Sequence, residues 1–369
     1  MKKICAILAL SLALSLPAAM SGCSDSSSSS ENNNASQTNV KSDPSGQADT
    51  GESSPVQSGE KPDTTPGKII SSGECGEKAK WEFDENGLLV ISGSGDMKNY
   101  YGNEALPWFE YSDKIKAVVV KEGITGIGKI AFSSCPNLTS VTLPESLTYI
   151  ENSVFYECPS LTDVIIPSKV TSIGFRAFFG CKSLTSITLP DSVTEIGTNI
   201  FEDCTSLTSI TFSKSLTKIG DDMFVGCTAL KSITIPDYMT EIGNRAFKKC
   251  TNLENVIIPD SVTVIGVHAF DSCTSLVSIT IPDHVTIIDD NAFMDCTALT
   301  NINIPDSVTE IGSQAFKGCS SLTSITIPES VIKIGYEVFK DCPDLIVKGK
   351  SGSYIETYTK KKKVPFSAI

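Results

Sequence analysis

CTALTNINIPDSVTEIGSQAFKG, residues 296–318, holds nearly every feature that the larger part of the chain repeats. With Cys296 as position zero, Leu299 falls at +3, Ile302 at +6, Ile304 at +8 and Pro305 at +9. Val308 follows at +12, Ile311 at +15, Gly312 at +16, and Ala315-Phe316 at +19 and +20. Cysteine recurs every 23 residues, at 135, 158, 181, 204, 227, 250, 273, 296, 319 and 342. One step earlier, Ser112 opens a copy with Ile115, Val118, Ile124, Ile127, Gly128, Ala131 and Phe132, so residues 112–341 form ten tandem units. A fixed period in this range signals a solenoid. Each unit is a coil that cannot bury its apolar face alone, and stacking the coils makes one continuous core.

Within a unit, Leu-x-x-Ile-x-Ile reads as a short strand with +6 and +8 facing inward. Proline at +9 cannot donate to a ladder and ends it; Asp-Ser beside it suits a turn. Val-x-x-Ile-Gly reads as a second extended piece, with the glycine free to turn the chain. Ala-Phe-x-x-Cys-x-x-Leu has the spacing of a helical turn or two with one apolar face. At about 4.8 Å per rung, ten rungs stack to roughly 50 Å.

These residues resemble the BspA-type, or Treponema-type, leucine-rich repeat, whose units carry Cys-x-x-Leu-x-x-Ile-x-Ile-Pro-x-x-Val-x-x-Ile-Gly-x-x-Ala-Phe. The resemblance implies an α/β repeat solenoid, a right-handed coil of 23-residue units with short strands and helical turns, capped at both ends. Ser213 departs from the pattern at the proline, Phe212 at a branched position, and Glu151 and Asp289 at the glycine; Asp289 is expected to strain its turn. Relatives are bacterial or protist surface proteins, some implicated in adhesion to host matrix proteins or to other cells. That implies a protein partner here, from the host matrix or another cell surface.

Residues 69–111 are expected to form the N-terminal cap: Trp81-Glu82-Phe83, a turn at Asp84-Glu85-Asn86-Gly87, then Leu88-Leu89-Val90-Ile91. Both tryptophans, Trp81 and Trp108, are read as core packing. Residues 342–369 are expected to be the C-terminal cap, with a short helix after Gly352-Ser353 and a segment Val364-Pro365-Phe366.

Ahead of the repeats, Lys2 and Lys3 precede the short apolar run ICAILALSLALSLPAAM, the n- and h-regions of an export signal over residues 1–22. Met20-Ser21-Gly22-Cys23 resembles a bacterial lipobox, which implies cleavage before Cys23, a lipid on its sulfur, and a repeat domain displayed at the bacterial surface. A plain secretory signal and an uncleaved anchor are the alternatives. Residues 23–68 then form a linker: between Ser24 and Lys68 only Ala35, Val40, Ala48 and Val56 are apolar, too few to offset the entropy of ordering.

A net charge of −13 argues against a nucleic-acid partner. With two histidines in the chain, His268 and His284, catalysis lacks its commonest side chain. They fall at +18 and +11 of different units and read as surface residues. The cysteines occupy one repeated slot beside Phe and Leu and lack the paired spacing of zinc sites; they read as a reduced, buried column, with bridges between neighbouring turns as the alternative. Asp221-Asp222 and Asp289-Asp290 read as solvated charge, as do Lys360 to Lys363. No cofactor, metal, small-molecule substrate or enzymatic activity is expected.

Recognition is left to two surfaces. The outward strand positions +5 and +7 form a Ser/Thr lattice, read as soluble strand-favouring filler. Variation concentrates near +17, +18, +21 and +22, where Tyr156, Phe175, Arg176 and Phe179 come from adjacent units. Exposed aromatic and Arg residues are the usual interface anchors, so these four are the candidate binding residues. The expected role is a non-catalytic interaction or adhesion module; the alternative is a structural scaffold or spacer of the envelope.

Overall fold

In the computed structural model of the chain, residues 65–369 are described. The expected signal sequence, Cys23 and residues 23–64 of the expected linker lie outside the described residues. The rest is a parallel solenoid of about eleven turns, roughly 23 residues each, with little helix.

Two ladders of short parallel strands run along it. The first is built from +5 to +7, for example Ser186–Thr188 on Ser209–Thr211 and Ser278–Thr280 on Asn301–Asn303. The second is built from +14 and +15, for example Lys218–Ile219 on Glu241–Ile242. Each residue pairs with the one 23 positions on, so like stacks on like. The long strand Leu88–Met97 starts both ladders. Its first half pairs with Ala117–Val120 and its second half with Ile124–Ile127, while Gly76–Asp84 lies antiparallel on its other side. At the far end Ser324 pairs with Ile346, one residue short of the repeat, because Leu345 and Val347 close up the usual Leu-x-x-Ile spacing. The helix Tyr354–Lys362 and the strand Phe366–Ala368 follow, the latter parallel to Ile346–Gly349.

The expected helical turn around Ala-Phe is not a helix. Residues +18 and +22 of every unit have positive φ, from Ile130 and Ser134 to Glu337 and Asp341, and two left-handed residues per unit cannot continue a right-handed helix. The N–H groups at +18, +20 and +22 instead reach the next turn: Arg176, Phe178 and Gly180 donate to the carbonyls of Thr198, Ile200 and Glu202 at 2.8–3.1 Å. This segment is a third ladder, hydrogen-bonded between turns.

Inside, ten phenylalanines at +20 stack from Phe132 to Phe339, with ring centroids 5.4–6.1 Å apart. Trp108 begins the column and donates its indole N–H to the Ala131 carbonyl at 2.9 Å; Tyr358 ends it edge-on. Both tryptophans are buried, as expected. The glycine at +16 serves close approach rather than turning: a Cβ on Gly174 would sit 2.6 Å from the Asn152 nitrogen. Asp289 does not strain its turn. It is not a positive-φ residue, and its carboxylate accepts the next N–H, that of Asp290, at 2.8 Å.

Candidate functional site

The four candidate residues are brought together. Stacking of adjacent turns sets Tyr156 and Phe179, both at +21, face to face, with centroids 4.8 Å apart at 13°. The Arg176 guanidinium lies 4.7 Å from the Phe175 ring centroid and 5.2 Å from that of Phe179, within cation–π range. Phe175 is exposed and the other three are partly covered. The Arg176 Nε is buried without a hydrogen-bond partner. Burial raises the Tyr156 phenol above its ordinary value; Glu157 and Glu202 add to the shift and Arg176 opposes it.

Two clefts border this cluster. One of about 460 Å³ is lined by Phe179, Glu157, Lys182, Asp203, Pro136 and Pro159. Another, of about 380 Å³, is lined by Phe175, Tyr149, Glu151, Asn152 and Glu195. No reading of spacing pointed to the clefts, because they depend on how neighbouring loops lean.

The lattice lies where expected. Thr188, Thr211, Thr234 and Thr280 are exposed at +7, and among the described residues the +5 and +7 hydroxyls make no hydrogen bond within the chain. Threonines at other positions are used internally: Thr148 and Thr171 at +13 donate to carbonyls one turn back, at 2.9 and 3.2 Å. Ile165 and Ile257 interrupt the lattice as exposed apolar residues.

The reading of His268 as a plain surface residue is corrected. It is partly buried, and its Nδ1 meets Asp271 Oδ2 at 2.8 Å. Asp271 is buried and also takes the Lys248 ammonium at 2.7 Å and the Ser272 hydroxyl at 2.7 Å. Burial alone would raise the Asp271 pKa, but the hydrogen bonds from Lys248, Ser272 and His268 outweigh it and hold the carboxyl below its ordinary value. The signal was the His-x-x-Asp spacing, with Lys248 one turn back in the same +21 column. Ser272 faces the carboxylate rather than the imidazole, so the group lacks the nucleophile–base contact of a triad.

The acidic pairs also have structural work. Asp221 accepts the Asn244 N–H at 2.8 Å, Asp290 accepts that of Ser313, and Asp222 holds Arg245 bidentately at 2.6 and 2.9 Å. In the terminal helix Lys360 pairs with Glu356 at 2.8 Å and Lys362 sits over Tyr336. Among the described residues no group of three or more His, Cys, Asp or Glu could hold a metal ion, and no helix is long and apolar enough to cross a membrane.

The BspA type leucine rich repeat region matches residues 107–231 and 217–346, in six copies. No curated protein matches the chain. Among solved structures, a leucine-rich repeat protein from Bacteroides ovatus is 25% identical, with a TM-score of 0.50, covering 79% of this chain and 98% of its own. A leucine rich cell surface protein from Faecalibacterium prausnitzii is 24% identical, with a TM-score of 0.43, covering 79% and 97%. The pneumococcal vaccine antigen PcpA is 17% identical, with a TM-score of 0.50, covering 83% and 100%. With the repeat matched over well more than half its length and its 23-residue turns stacked in register, the chain belongs to the BspA-type leucine-rich repeat family.

Proposed function

We propose that the chain is a non-catalytic protein-interaction module of the bacterial surface. Cys23 carries the lipid, residues 23–68 are the spacer, the two terminal segments cap the stack, and the partner is a protein of the host matrix or of a neighbouring cell surface. Membership of a repeat family built for interaction supports the general role. The observation that carries the specific reading is the cluster of Tyr156, Phe175, Arg176 and Phe179 between two clefts. Partly exposed aromatic rings holding an arginine are the composition of an interface hot spot.

The test is binding of the purified full chain, measured by biosensor against matrix proteins and bacterial surface proteins. Phe175→Ala is expected to weaken a genuine partner by about 2 kcal/mol or more without lowering the melting temperature. Silence against every protein tried would favour the scaffold reading. Turnover of an envelope polymer by the purified chain would contradict the non-catalytic one.

A further inference from the structure

Among the described residues the cation of the proposed interaction surface has no direct ion-pair partner, although Glu157 and Glu202 act with it on the Tyr156 phenol. The chain has two arginines, Arg176 and Arg245, both at +18 and both at positive φ. Arg245 finds its acid in its own column: Asp222, one turn back at +18, takes Nε and a terminal nitrogen. Arg176 has Ser153 before it and Asn199 after it in that column, and the Asn199 amide is turned to Glu202 at 2.6 Å. Among the described residues no carboxylate pairs with Arg176, and its Nε is buried and unpartnered. A buried donor left without an acceptor is costly, more so on a charged group. Nε is sealed from outside, but the two terminal nitrogens are not among the buried atoms. They form the end of a rigid fork matched to carboxylate, and stacking on Phe175 and Phe179 fixes its plane.

We propose that Arg176 is the anion-receiving fork of this surface, and that the partner supplies one Asp or Glu carboxylate to it while covering Phe175 and Phe179. This rests on the reading of the cluster as an interaction surface. The surroundings select a protein segment over a polyanion. Glu151 and Glu195 line one flanking cleft, and Glu157 and Asp203 the other, with Lys182 the one cation lining either. A dense anionic polymer meets repulsion on both sides. A single carboxylate between apolar and basic residues meets Arg176 at the centre and acids at the rim.

The experiment is phage display of random peptides on the immobilised full chain. Each recovered peptide is then rebound, alongside its Glu→Gln or Asp→Asn form, to wild type, Phe175→Ala, Arg176→Lys and Arg176→Asn. Asn is a safe replacement because Asn199 and Asn291 occupy the same positive-φ column; a melting curve on each variant checks the fold. Peptides that depend on Phe175 are expected to carry a carboxylate flanked by apolar and basic residues. Neutralising that carboxylate should weaken binding to wild type about tenfold or more and cost nothing further on Arg176→Asn, with Arg176→Lys in between. Phe175-dependent peptides without an acid, or equal loss on wild type and Arg176→Asn, overturn the inference and leave the interaction surface standing. A selection with no Phe175-dependent peptide overturns the surface itself, and the inference with it. Heparin captured by wild type and released by Arg176→Asn would assign the fork to a polyanion instead.

Discussion

A cysteine in this solenoid is a hydrogen-bond donor before it is anything else. From Cys158 to Cys342, nine sulfurs lie 3.0–3.2 Å from the carbonyl of the phenylalanine one turn back. Burial pushes the Cys250 thiol up to about 12 and that of Cys342 to about 11. Thiolate is the reactive form, so the column should resist alkylation in the native state. Cys342, partly exposed at the end of the column, should be labelled first by a maleimide pulse read by mass spectrometry; labelling of Cys250 at the same rate would contradict this. Asp271 gives a second test. Its folded pKa lies below the ordinary value of about 4, so its stabilisation is present above that pH and fades as pH falls through the folded value. Asp271→Asn should cost about 2 kcal/mol at neutral pH, and the gap in melting temperature from wild type should close in acid. At this scale the sequence was partly legible. The +22 column holds Gly180, Asp203, Gly226, Asp295, Gly318 and Asp341, residue types that tolerate positive φ. The +18 column holds Asn199, Asp222, His268 and Asn291, which also favour positive φ, but no glycine, and with Ile130, Arg176 and Gln314 among them the signal was weaker.

The Ala-Phe segment shows why the spacing of one element misleads. Apolar residues three and four apart imply a helix when a segment bonds to itself. Here Phe178 donates to Ile200 in the next turn rather than to a carbonyl four residues back. Only the stack supplies that partner, and no single unit reveals it. Both strands, by contrast, were readable from alternation and from the proline that ends the first. The same segment separates core from surface within four residues. Phe178 is fully buried between Phe155 and Phe201, so Phe178→Ala should cost about 3–5 kcal/mol, seen as a lower midpoint in denaturant. Exposed Phe175→Ala should shift that midpoint little. Ser186→Ala with Thr188→Ala should likewise be near neutral, since neither hydroxyl makes a hydrogen bond among the described residues.

For the molecule as a whole, register is what a strict 23-residue period specifies. Glu241 falls on Val264 as surely as Ile242 falls on Ile265, and the freedom left to each unit lies in the loop around Ala-Phe. That is why the candidate residues could be placed side by side before any coordinates, while the clefts beside them and the unpaired state of Arg176 could not. Loop tilt and the lack of an acid at the two positions flanking Arg176 in its column, Ser153 and Asn199, are properties of neighbouring turns together. The anchor is a separate question with its own test: Cys23→Ser should move the protein from the membrane fraction to the soluble fraction and abolish lipid labelling, and unchanged labelling would contradict a lipid at that residue. The central claim is that recognition uses the Arg–aromatic face rather than the strand lattice. Its most direct measurement is photo-crosslinking on intact cells displaying the full chain, with benzoyl-phenylalanine placed singly at Phe175, Phe179, Ser186 or Thr188. The account predicts discrete protein adducts from positions 175 and 179 and none from 186 and 188. Adducts from 186 and 188 alone would contradict it and put recognition on the sheet.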